Sequence, residues 1–148
     1  MKKIFAISLI LLLSLVYGTV IAEQEPAKDT QSEPAASEAQ ESGLTVSRMV
    51  MAGSVENREP VGTAESFPAS QDKVYCYVEL KDITEDMNIT FDWSLGEKDM
   101  GKVTQQVKKS SRWRTWSNKS INGMKGDWTV DLMNDAGDIL KSASFKVE

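Results

Sequence analysis

The stretch RWRTWSNKSINGMKGDWTVDLMNDAGDILKSASFKV, Arg112 to Val147, decides the fold of this chain. Within it Trp128, Val130 and Leu132 alternate with Thr129, Asp131 and Met133, the period-two pattern of a strand with one buried face. Asn134-Asp135-Ala136-Gly137 supplies turn formers, and a second alternating run follows at Ala143, Phe145 and Val147. The pair reads as an antiparallel hairpin. Asp131, Asp135 and Asp138 around Gly137 raise the alternative of a calcium loop, but the ligand spacing is incomplete and no closing glutamate stands at the required distance. Turn chemistry therefore takes precedence over metal binding, and no metal or cofactor is expected.

Working outward, strand patterns recur with turn signals between them. Leu44 to Ala52 is the first, closed by Asn57-Arg58-Glu59-Pro60-Val61-Gly62, where Pro60 forces an extended or turn geometry on Glu59. Lys73 to Leu80 places Val74, Cys76, Val78 and Leu80 on one face and Tyr75, Tyr77 and Glu79 on the other. Ile89, Phe91, Trp93 and Leu95 alternate with polar residues, and Val103 and Val107 mark a shorter, more polar strand after a turn from Gly96 to Gly101. With Arg112 to Ser117 and the final hairpin, about seven short strands and no amphipathic helix predict an all-β, antiparallel β-sandwich of the immunoglobulin or fibronectin type III kind. The short turn between the third and fourth strands makes them a hairpin in one sheet, so the second and fifth fall together in the other. Trp93 is then the core tryptophan.

The N-terminal part has a different character. Lys2 and Lys3 precede an apolar run from Ile4 to Val16, and Val20-Ile21-Ala22 offers a cleavage site, so residues 1–22 read as a signal peptide. An uncleaved anchor over residues 4–22 is the alternative, and only in that case is a membrane a partner. Residues 23–43 hold six acids (Glu23, Glu25, Asp29, Glu33, Glu38, Glu41), one base (Lys28) and no large apolar side chain, the composition of a disordered acidic linker. Residues 44–148 are long enough for one β-sandwich domain. Export implies a periplasmic or secreted protein, or one anchored to the inner membrane if the leader stays. In such a compartment the single Cys76 is either buried or used between chains. Its place between Val74 and Val78 on the inward parity argues for burial.

Several motifs together resemble the bacterial family catalogued as domain of unknown function 2914. They are NREP at Asn57 to Pro60, VYCYVEL at Val74 to Leu80, the aromatic-x-Trp strand at Phe91 to Trp93, RWRTWS, GDWTV at Gly126 to Val130, and DAGDIL followed by FKV. The resemblance runs from about Val46 to Val147. It implies an exported or envelope β domain and brings no activity with it. The family's third strand often reads His-x-Trp; here Phe91 stands in the histidine's place.

The chain has no histidine, which removes Ser-His and Cys-His nucleophile pairs and the commonest zinc ligand. It has no glycine-rich phosphate loop, and the acids Asp82, Glu85 and Asp86 sit in a turn where solvated carboxylates are ordinary. The domain is therefore expected to be non-enzymatic. Charge is more informative. Lys102, Lys108, Lys109, Arg112, Arg114, Lys119 and Lys125 follow one another between Gly101 and Gly126 without an acid, whereas acids prevail over the rest of the chain after Ala22. Export makes nucleic acid an unsuitable partner; an anionic glycan, a lipid headgroup or an acidic envelope protein suits better.

Parity on RWRTWS puts Trp113 inward and Arg112, Arg114 and Trp116 outward, since the opposite choice buries two arginines. If the second and fifth strands are neighbours, Tyr75 and Tyr77 share that outward face and guanidinium and aromatic groups interleave. Arg112, Arg114, Trp116, Tyr75 and Tyr77, with Lys119 as a further base, are the candidate binding residues. Two functions stay open: an envelope binding module that uses this face, or a structural or accessory β-sandwich with no ligand of its own.

Overall fold

The computed structural model describes residues 43–148. The signal peptide or anchor at 1–22 and the acidic linker at 23–43 fall outside the described residues, Gly43 excepted. The described residues build nine strands: β1 (Thr45–Glu56), β2 (Glu59–Thr63), β3 (Ser66–Phe67), β4 (Lys73–Ile83), β5 (Met87–Leu95), β6 (Lys98–Val107), β7 (Ser110–Ser120), β8 (Gly126–Met133) and β9 (Ile139–Val147). They form a four-stranded sheet in the order β2-β1-β4-β7 and a five-stranded sheet in the order β3-β9-β8-β5-β6. All pairs are antiparallel except the short β3–β9 pair.

The expected all-β sandwich is what forms, with nine strands where the sequence predicts seven. β5 and β6 make the expected hairpin in one sheet, and β4 and β7 lie side by side in the other. The strand predicted around Val103 and Val107 begins earlier, at Lys98, because the chain reverses directly after Leu95, which pairs with Lys98. Gly101 is therefore not turn but strand, opposite Trp93. Asn134 to Gly137 closes the β8–β9 hairpin, with the Asn134 side-chain oxygen accepting the Ala136 and Asp138 amides.

The core lies between the sheets and follows the alternation. Val74, Cys76, Val78 and Leu80 of β4 face Ile89, Phe91 and Trp93 of β5 and Trp128, Val130 and Leu132 of β8, all fully buried. Phe145 organises the aromatics: its ring stacks on Trp128 at 5.8 Å and meets Phe67 and Trp93 edge-on at 5.7 and 6.4 Å. Each such pair adds about 0.5–1.5 kcal/mol beyond the area it buries. The indole N–H of Trp93 crosses between the sheets and donates to Ser117 Oγ at 3.3 Å, which satisfies both buried groups.

Along the side where the sheets end in β6 and β7, side chains staple one edge to the other. Gln105 donates to the Trp116 carbonyl at 2.9 Å and accepts from Thr115 Oγ1, and Lys119 Nζ donates to the Met100 carbonyl. These bonds occupy backbone groups that an exposed edge offers to foreign strands.

The two strands missed by sequence reading reshape the other side. β1 runs to Glu56 and turns through Asn57 and Arg58, both at positive φ (51° and 62°), into β2. That is the backbone of a two-residue hairpin turn whose twist suits the flanking strands. Pro60 stands within β2, the outermost strand of its sheet, where its missing N–H breaks no ladder.

Candidate binding face

β4 is one of the two inner strands of the four-stranded sheet, and its outward residues are Tyr75, Tyr77 and Glu79. Across it, β7 sets Asn118 opposite Tyr75, Trp116 opposite Tyr77 and Arg114 opposite Glu79, with Arg112 opposite Lys81. On the other flank β1 sets Val50 opposite Tyr77 and Arg48 opposite Glu79. Tyr75, Tyr77, Arg112, Arg114 and Trp116 thus share one outward face, as the parity argument requires, and Trp113 packs inward against the core. Lys119 does not join them. It pairs with the inward Val74, and its ammonium group turns to Met100 of the opposite sheet.

Tyr77 departs from expectation in a second way: it belongs to the outer face yet is fully buried. The cover is the β1–β2 hairpin. Arg48 and Glu56 lie eight residues apart in β1, about 26 Å if extended. Nevertheless Glu59, paired with Glu56 at the hairpin's tip, approaches Arg48 Nη1 to 3.7 Å and Arg114 Nη1 to 2.8 Å. The hairpin therefore folds back across the outer face. β1 stops pairing with β4 after Ala52, and there Gly53 faces Gly62, between the pairs Ala52–Thr63 and Ser54–Val61. Gly62 takes φ +65°, and backbone of either strand lies 3.8 Å from the place a side chain would start on the other.

Beneath this flap the charges interlock. Arg112 Nη2 donates to Glu79 Oε2 at 2.5 Å, and Arg114 Nε stands 3.4 Å from the same oxygen without the alignment of a hydrogen bond. The hydrogen bond from Arg112 holds the Glu79 carboxyl below its ordinary 4.5, and the same bond raises the guanidinium of Arg112. The Arg48 guanidinium lies 5.7 Å from the centre of the Tyr77 ring, within cation–π range. Burial, followed by the Glu59 charge, pushes the Tyr77 phenol above its ordinary 10.0. Its hydroxyl, like Arg114 Nε, is buried and has no hydrogen-bond partner among the described residues. Arg58 at the hairpin turn, Ser110, Arg112, Trp113 and Arg114 line an adjoining cleft of about 490 Å³.

The run of bases seen in the sequence is thus not contiguous, and four of its seven members pair with acids. Lys102 pairs with Asp92 at 2.5 Å on the five-stranded sheet, and Lys108 with Asp86 at 3.2 Å at the end of β6. Arg112 and Arg114 are engaged by Glu79 and Glu59. What gathers on the outer face of the four-stranded sheet is a set of arginines, Arg48, Arg58, Arg112 and Arg114, laced with two glutamates. Arg48, Arg58 and Glu59 escaped sequence reasoning, although Arg48 shares β1 with the core residues Met49 and Met51 and so had a readable outward parity. Among the described residues no cluster of three acids, cysteines or histidines is placed to hold a metal ion. Cys76 is fully buried, and desolvation pushes its thiol up to about 12.

No curated protein matches the chain. Two solved structures of β-glucosidase from Kluyveromyces marxianus, one selenomethionine-labelled and one in complex with glucose, match at 14% identity over 71% of this chain, with TM-scores of 0.43 and 0.42. This chain spans only 14% of the length of either. The family described as "Protein of unknown function (DUF2914)" matches residues 86–147, a segment that contains β5 to β9 and leaves out the NREP and VYCYVEL motifs. Over that segment the chain resembles the DUF2914 family, the resemblance its aromatic and turn motifs suggest.

Proposed function

We propose that this β-sandwich is a non-enzymatic binding module of the bacterial envelope that engages an anionic polymer or an acidic protein partner through the outer face of its four-stranded sheet. The observation that carries the reading is the convergence of Arg48, Arg58, Arg112 and Arg114 around Tyr77 and the cleft beside Trp113. Arginine and aromatic residues are the types enriched where interfaces are buried, and a guanidinium grips a carboxylate or sulfate with two bonds where an ammonium supplies a point charge. The engagement of Arg112 and Arg114 by Glu79 and Glu59 favours the second reading, a structural or accessory domain whose charged face only stiffens the sheet.

Binding of the full-length protein to immobilised polyglutamate, polygalacturonate and dextran sulfate separates the two. The binding module holds at least one of them at low salt. It releases that polymer as the Debye length falls from about 10 Å at 0.1 M to about 3 Å at 1 M. Arg112→Ala with Arg114→Ala then weakens binding at least about tenfold more than Lys108→Ala with Lys109→Ala. Equal losses from the two double variants point to diffuse electrostatics. Loss of thermal stability without loss of binding leaves the arginines as structural members.

A further inference from the structure

Glu59 is the unusual member of the arginine face, because it is carried there by a hairpin bent back from another part of the sheet. Its carboxylate sits between Arg48 and Arg114, above a tyrosine whose hydroxyl has no partner and beside a guanidinium N–H that has none either. A buried polar group without a partner calls for an explanation. Among the described residues neither Tyr77 Oη nor Arg114 Nε has a partner: Nε stands 3.4 Å from Glu79 Oε2 without bonding it, and Glu59 reaches Arg114 through Nη1 alone. The Glu59 side chain remains 48% exposed and the Arg48 side chain 45%, so that pair is of the weak, solvent-screened kind, whereas the Arg114 side chain is 28% exposed and its 2.8 Å pair with Glu59 is the firmer hold on the flap. The flap hangs on a strand pair with glycine on both sides of the bend.

We propose that Glu59 is a built-in stand-in for the ligand. The face is a carboxylate site for a glutamate- or aspartate-bearing extended segment of a partner protein, and the hairpin tip from Ser54 to Val61 must release Glu59 before that segment can bind. A carboxylate is chosen because one already occupies the seat. A peptide is chosen over an acidic glycan because the occupant is a glutamate presented by a β-strand, so the depth and approach of the site are those of an acidic side chain on an extended backbone. The incoming carboxylate takes the Arg48 and Arg114 guanidinium groups from Glu59, and the incoming chain supplies an acceptor for Tyr77 Oη and Arg114 Nε. Glu79, with a side chain only 12% exposed and held by Arg112, stays in place between Arg112 and Arg114. This rests on the binding reading above and names its ligand.

The test measures binding of labelled hexaglutamate, polygalacturonate and dextran sulfate to the wild type, Glu59→Gln and Arg114→Lys at fixed ionic strength. Vacating the seat removes an intramolecular competitor, so Glu59→Gln binds hexaglutamate about fivefold more tightly, the size expected for displacing one exposed and one half-buried ion pair. Arg114→Lys keeps the charge and the fold but loses the two-bond grip, and weakens hexaglutamate at least about threefold. Amide exchange of residues 54–61 in the wild type rises when hexaglutamate is added, because the flap lifts. An equal gain for all three polymers in Glu59→Gln reports only the lost negative charge and overturns the proposal. A gain confined to polygalacturonate makes the partner a glycan and overturns it too. Wild-type binding that Glu59→Gln leaves unchanged overturns this inference alone, whereas no binding by any protein to any probe overturns the binding reading with it.

Discussion

Replacing Tyr77 by phenylalanine should make this domain more stable. The ring is fully buried beneath the β1–β2 hairpin, and its hydroxyl meets no hydrogen-bond partner. A buried hydroxyl stripped of water and left unpaired costs about 1–3 kcal/mol. Tyr77→Phe removes that cost while keeping the ring's volume and most of its attraction for Arg48, which lies 5.7 Å from its centre. A gain of about 1–2 kcal/mol follows, or a rise in Tm of about 4–8 °C for a domain of this size. Urea unfolding checks it: the midpoint moves up with the m-value unchanged, since the same surface is exposed on unfolding. The phenol adds a pH signature. Because its folded value lies above the ordinary 10.0, the tyrosine resists ionisation in the fold more than in the unfolded chain. That contribution is complete below pH 10 and is lost as pH rises through the higher folded value, so the wild type weakens in alkali by a step that Tyr77→Phe lacks. A loss of 1 kcal/mol or more on substitution would refute the reasoning, for it would mean that the hydroxyl has found a partner and that the face is already complete.

Two further outcomes concern the core and the ion pairs. Cys76 should be inert to thiol reagents until the domain unfolds: with its thiol pushed up to about 12, only about one molecule in ten thousand carries the reactive thiolate at pH 8, and the side chain has no exposed surface. Rapid labelling of native protein, or a disulfide-linked dimer on a non-reducing gel, contradicts the register of β4. Glu79 is held below its ordinary 4.5, so its contribution is complete above that pH and is lost as pH falls through the folded value. Glu79→Gln should therefore be less stable than the wild type at pH 7 and converge with it in acid, followed by urea midpoints between pH 7 and pH 2.

Alternation was enough to find the core. In β4, β5 and β8 every second residue is large and apolar, and one strand register buries Cys76, Trp93 and Trp128 together. Period two also tells which face a side chain belongs to, but not what lies over that face. Tyr77 shows the difference, since its cover comes from residues around Glu59 and a reversal of the whole hairpin. β2 was hidden because Pro60 and Gly62 read as breakers, whereas an edge strand tolerates both. The break from Asn57 onward was legible, but not that it is a two-residue hairpin turn, for its second residue needs positive φ and pattern rules look there for glycine, not Arg58. β3 is two residues long, too short to carry any period. The charge map failed for a related reason: sheet pairing brings Arg112 to Glu79, 33 residues away, so a base in a segment without acids meets its counter-ion from another strand.

The two outer faces of the sandwich make a controlled comparison. On the five-stranded sheet, exposed hydroxyls satisfy one another or a carboxylate: Thr90 with Thr104 at 2.8 Å, Thr129 with Ser144 at 3.3 Å, Ser142 with Asp131 at 2.5 Å. The four-stranded sheet departs from such economy three times within one neighbourhood. Tyr77 keeps an unpaired hydroxyl where phenylalanine is the stable choice, Arg114 keeps an unpaired N–H, and Arg58 holds a left-handed conformation at φ 62°. That conformation costs a residue with a side chain about 1 kcal/mol or more. Local departures of this kind collect where a surface has been shaped for something other than stability. Their meeting under one flap, next to a cleft lined by three arginines, is the reason the proposed docking is assigned to this face and not to the hydroxyl-lined one.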